Sequence, residues 1–146
     1  MAIYFDLNKT MREIEFRGRQ IFTGEWLYGY LFNYGGVLQM NSALCICCCV
    51  PTKADAYRYF RVDPETVGQY TGKKDRDGEK IFEGDILRIG NSRVAEVYWC
   101  DEEAQYIAGN DGVELSLNRA YNHDGFGGSA IEIIGNIHDN KLEDFR

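Results

Sequence analysis

Proline is scarce in this chain, with two among 146 residues, and no apolar run approaches the roughly 20 residues that a bilayer-spanning helix needs. Those absences exclude a Pro-rich linker protein and a helical membrane anchor. Histidine is as rare as proline: His123 and His138 lie too far apart for the His-x-x-x-His spacing of a metal-binding helix. The glycine-rich stretch His123-Asp124-Gly125-Phe126-Gly127-Gly128 has no Lys-Ser or Lys-Thr after it and acidic surroundings, so it is not a phosphate loop. Residues 1–16 lack the basic region and apolar core of an export signal, and a cytoplasmic location is the expectation.

Aromatic residues and glycine are plentiful instead. Ten Tyr, eight Phe and two Trp favour pleated surfaces, and sixteen Gly supply turns built on positive φ. Met11 to Arg17 alternates, with Ile14 and Phe16 on one face. Gln20 to Phe32 reads as a hairpin about Thr23-Gly24, and Trp26, Tyr28 and Tyr30 share one parity of its second arm. Leu44 to Val50 reads as a buried strand closed by Pro51. From Val67 onward short strand-like pieces alternate with Gly turns, and Glu83-Gly84-Asp85 marks a reversal in which Gly84 takes an unusual backbone angle. No βαβ period appears.

The expected fold is therefore all-β or mostly β, built of small barrel-like sheets with short Gly-rich turns. Residues 1–10 read as an N-terminal extension, 11–140 as the β domain, and 141–146 as a C-terminal tail. The β domain is either one cooperative unit or two lobes, about 11–66 and 67–140.

Charge is unevenly distributed. Residues 1–100 carry 13 acidic and 13 basic side chains, while 101–146 carry 10 acidic and 3 basic and so supply the whole net charge of −7. An acidic half repels phosphate backbones, which disfavours nucleic acid as a partner. Against that stand Arg12, Arg17, Arg19, Arg58, Arg61, Lys73 and Lys74, which a fold could gather into one basic patch beside Trp26, Tyr28 and Tyr30 as a stacking platform.

Three stretches resemble the YopX family of phage and prophage proteins. They are the opening Arg12-Glu13-Ile14-Glu15-Phe16-Arg17, the central Gln69 to Ile86 with its Thr71-Gly72-Lys73-Lys74-Asp75-Arg76-Asp77-Gly78 core, and the closing Ile133-Ile134-Gly135-Asn136-Ile137-His138-Asp139-Asn140. Lys141 stands where such chains often continue with Pro. The resemblance implies mostly β structure and a small phage-encoded protein; it carries over no catalytic residue.

The residues with the most chemical potential each have a structural reading beside the functional one. Asp75, Asp77, Glu83 and Asp85 would serve a metal-assisted hydrolase if at least three of them converged, yet a calcium loop begun at Asp75 has Ile86 where a bidentate Glu belongs. Turn formation is the better reading. Cys45 and Cys48 give one zinc-type pair that Cys100, His123 or His138 would have to complete, and the crowded Cys45, Cys47, Cys48 and Cys49 suit a buried strand of reduced thiols. No catalytic, cofactor-binding or metal-binding residue is assigned. A noncatalytic accessory module is expected, with a protein partner or a second copy of itself, and with nucleic-acid binding as the alternative.

Overall fold

The computed structural model describes residues 12–35, 43–48, 58–122 and 130–145. The extension 1–10, Cys49, Pro51 and the loop containing His123 lie outside them.

Eleven strands among the described residues form two antiparallel sheets. The first contains β1 (Phe16–Arg19), β2 (Trp26–Tyr34), β3 (Ala43–Cys48), β4 (Arg58–Arg61), β5 (Gly68–Lys74) and β6 (Lys80–Phe82), in the order β4-β3-β2-β1-β5-β6. The second contains β7 (Asp85–Ile89), β8 (Arg93–Cys100), β9 (Gln105–Asn110), β10 (Val113–Ser116) and β11 (Ile131–Asn136), in the order β10-β9-β8-β7-β11.

The expectation of barrel-like sheets is corrected here. The end strands β4 and β6 do not pair, nor do β10 and β11, so both sheets are open. Short strands separated by glycines suit two open sheets as well as one closed sheet, and long-range pairing decides between them. The decisive point is the Glu83-Gly84 turn. Gly84 has φ +80, its N–H donates to Val97 O at 2.8 Å, and its carbonyl accepts from Ile137 N at 2.9 Å. Those bonds carry the chain out of the first sheet at Phe82 and into the second at Asp85.

The second sheet holds the main core. Leu87 pairs with Ala95 and Ile133, Ile89 pairs with Ile131, and Val97 pairs with Ala108, which puts their side chains on one face. A short helix, α1 (Leu117–Tyr121), covers that face with buried Leu117 and Ala120, joined by Ile81 from β6. Its N-cap is Ser116, whose hydroxyl accepts from Arg119 N at 3.2 Å. In the first sheet, Gly18 allows β1 to settle onto Val62 and Ile46, both almost fully buried.

Candidate interaction surface

The carboxylates singled out by the sequence organise backbone. Asp75 is buried; one of its oxygens accepts from Asp77 N and Glu79 N, each at 2.9 Å, and the other from Ile133 N at 3.2 Å. Asp77 lies exposed beside Arg76. Glu83 accepts from Gln69 N at 2.7 Å, and burial pushes its carboxyl above the usual range. Asp85 accepts from Phe82 N at 2.8 Å and pairs with Arg17 at 2.6 Å. No group of three His, Cys, Asp or Glu among the described residues is placed to hold a metal ion, so the convergence required by a metal-assisted hydrolase is missing there.

Arg17 binds the two sheets together. Its Nη2 donates to Glu83 O at 2.9 Å, and its guanidinium carbon lies 4.9 Å from the Trp26 ring centroid and 5.2 Å from that of Phe82. Burial raises the Asp85 carboxyl, while the Arg17 charge opposes the shift. Arg19 pairs with Asp139, and the His138 ring rests on Trp26 with centroids 5.7 Å apart. The stretch Gly135 to Asn140 is a locked turn: Asn136 Oδ1 accepts from His138 N and Asp139 N, and Asn140 Oδ1 accepts from Asn136 N. The central and closing stretches that carry the family resemblance therefore build turns and the junction between sheets.

The seven cations are not gathered into one patch. Arg17 is buried in its ion pair, Arg19 is held by Asp139, and Lys73 sits over the Tyr121 ring at 4.6 Å. Arg58 and Arg61 belong to β4, four strand spacings from the β5 that carries Lys73 and Lys74, or roughly 19 Å across the sheet. Arg12 lies before β1, where it borders a groove with Ile14, Tyr28 and Tyr30. Among the cysteines, Cys45 is buried with its thiol directed at Ala43 O and pushed up by burial, while Cys47, Cys48 and Cys100 are half-buried.

What the first sheet does present is aromatic. Every even position of β2 is aromatic, Trp26, Tyr28, Tyr30, Phe32 and Tyr34, so strand alternation places all five on one face. The cross-strand register extends this face: Tyr30 pairs with Cys47, Cys47 with Tyr59, and Phe32 with Cys45. Tyr59 stacks on Tyr34 with centroids 5.4 Å apart and meets Phe32 edge-on at 5.6 Å. Its Trp26 end is covered by Arg17, Arg19 and His138. Beyond that end Tyr28, Tyr30, Tyr34 and Tyr59 are 47%, 61%, 56% and 49% exposed, too much for core residues. The shared parity of Trp26, Tyr28 and Tyr30 was visible in the sequence and extends to Phe32 and Tyr34 along the same strand, but Tyr59 joins them only through the β2–β3–β4 register.

Comparison with the curated proteins finds no match. Among solved structures, the crystal structure of protein EF1440 from Enterococcus faecalis is similar, at TM-score 0.50 and 21% identity, covering 89% of this chain and 96% of that one. That likeness concerns the fold alone. The family described as YopX protein matches residues 15–143, a span that includes both sheets and the junction between them, and the chain belongs to the YopX family.

Proposed function

We propose that this YopX-family chain is a noncatalytic phage or prophage accessory protein that works in the cytoplasm of the host cell by binding another protein through the aromatic face of β2, β3 and β4. The observation that carries the reading is the set of four half-exposed tyrosines on one face. Tyrosine combines a large apolar ring with a hydroxyl that tolerates water, which suits a surface that is alternately free and covered. The phage setting rests on family membership.

The test compares the wild-type chain with a Tyr30→Ser, Tyr34→Ser, Tyr59→Ser variant, each purified from host cells. A protein retained by the first and lost by the second is identified, purified and titrated calorimetrically against both, and its binding should fall at least about tenfold in the variant if the face is a hot spot. Equal binding to both chains would refute the reading. So would micromolar binding of labelled DNA or RNA at roughly 150 mM salt that weakens steeply as salt rises, the behaviour of an electrostatic nucleic-acid binder.

A further inference from the structure

We infer that the occupant of the tyrosine face is a second copy of this chain, docked head to tail through its acidic β8–β9 turn. This rests on the face being a protein-binding surface and adds what binds there.

Charge carries the argument. Strands β2, β3 and β4 contain no Asp or Glu, and their charged residues are Arg58 and Arg61 on the edge strand β4. Both arginines are exposed, and neither forms an ion pair among the described residues. Arg61, which pairs with Cys45, shares the tyrosine face with Tyr59, while alternation turns Arg58 to the other side of the same edge strand. A tyrosine surface with a guanidinium at its rim calls for a carboxylate-bearing partner, because opposite potentials steer encounter and fix register.

The same chain supplies such a surface on its other sheet. Asp101, Glu102 and Glu103 are consecutive, exposed and without an ion pair among the described residues. The turn they form is built to hold its shape. Ala104 closes it at φ +49, Asp101 accepts from Trp99 Nε1 at 2.9 Å, and Glu103 accepts from Gln105. Trp99 stands beside it, 42% exposed and edge-on to Tyr106. The turn therefore offers carboxylates for Arg61 at the rim of the face, within reach of the edge strand that carries Arg58, together with an indole that can lie against tyrosines or a guanidinium.

Charge also selects the symmetry. Packing the tyrosine face on its own copy would offer Arg61 no carboxylate from β2, β3 or β4, which contain none, whereas turn against face pairs opposite signs. A heterologous contact of this kind leaves one free face and one free turn on every assembly, so association continues until a ring closes or a chain grows.

Sedimentation velocity over a wide concentration range tests this on the full chain. The wild type should gain mass with concentration, and raising salt from about 50 to about 500 mM should weaken association roughly tenfold. An Arg58→Glu, Arg61→Glu variant and a Glu102→Gln, Glu103→Gln variant should each remain monomeric alone. Mixed in equal amounts they should form a one-to-one dimer and nothing larger, since only one intact face and one intact turn remain to meet. The two pairs of substitutions lie on different sheets, so misfolding of one variant leaves the other informative. A monomeric wild type, a dimer indifferent to the turn variant, or a mixture that stays monomeric would overturn the inference. The wider protein-binding reading has its own criterion, loss of a purified partner by the tyrosine variant, and so the two failures are distinguishable.

Discussion

The Arg17 guanidinium meets the Asp85 carboxylate at 2.6 Å with the two side chains 8% and 2% exposed, and this pair joins one sheet to the other. Removing one partner leaves a charge buried without its counterion. Asp85→Ala also strips Phe82 N–H of its acceptor. Each of Arg17→Met and Asp85→Ala should cost about 3–5 kcal/mol in urea unfolding, and the double variant should cost clearly less than the sum. Additive losses would show that the pair does not act as a unit.

Two glycines should behave differently under the same substitution. A Cβ on Gly29 would lie 2.0 Å from Cys47 O, inside the β2–β3 ladder, so Gly29→Ala is expected to cost upwards of about 2 kcal/mol because strand backbone must move. Gly84 has φ +80 with its nearest neighbour, Ile137, at 3.4 Å from such a Cβ, and Gly84→Ala should cost about 1 kcal/mol or somewhat more, mainly in backbone strain. Chemical denaturation midpoints measure both, and an unchanged midpoint for either would count against its geometry.

His138 gives the junction a pH dependence of definite sign. Burial and the charges of Arg17 and Arg19 lower its pKa, and Asp63 opposes them in part. The folded state thus binds the imidazole proton more weakly than the unfolded chain, where the value is about 6.5. This residue's contribution is fully present above that pH and is lost as acid protonates the ring against Trp26 and the two arginines. The loss of stability on going from pH 8 to near pH 5.5 should be smaller in His138→Gln than in the wild type. A larger loss in the variant would reverse the assignment, and the signed comparison cancels the raised carboxyls of Glu83, Asp85 and Glu96, which are common to both proteins.

Cys45 should be slow to react. Its thiol is buried and its pKa is raised, which keeps it protonated at neutral pH. Peptide-resolved alkylation should label half-buried Cys100 before Cys45, with Cys45 reacting on unfolding. Equal rates in the native protein would place Cys45 at the surface.

Much of the local structure was legible in the sequence, and the reason is that its determinants lie within a few residues of one another. The strand running to Arg17, the aromatic arm β2, the buried strand around Cys45 and Ile46, and the positive φ of Gly84 were written in alternation and turn chemistry, whereas Ile21 and Phe22, expected in the first arm of a hairpin, lie in the turn, and β2 pairs with Phe16–Arg19 instead. The sheet boundary was not legible, since Glu83-Gly84 reads alike whether the next strand continues a sheet or enters another. Helix α1 was hidden by its brevity and by the apolar run that precedes it, although Ser116 was a usable capping signal. The candidate surface was half visible: parity aligned Trp26, Tyr28 and Tyr30, but nothing local announced that Tyr59 stacks on Tyr34 or that His138 and Arg17 cover Trp26.

The separation of Arg17 from Asp85 also sets an order of events during synthesis. At ribosomal speeds of roughly 5–20 residues per second, Arg17 leaves the tunnel several seconds before its carboxylate has been made. Over that interval β1 emerges first, with the strands that follow it still leaving the tunnel in turn, and β1 has neither β5 beside it nor Asp85 beneath it. A nascent chain stopped before residue 85 therefore keeps a solvated Arg17 and an uncovered Trp26, and the N-terminal sheet reaches its finished form only after the second sheet has begun to emerge.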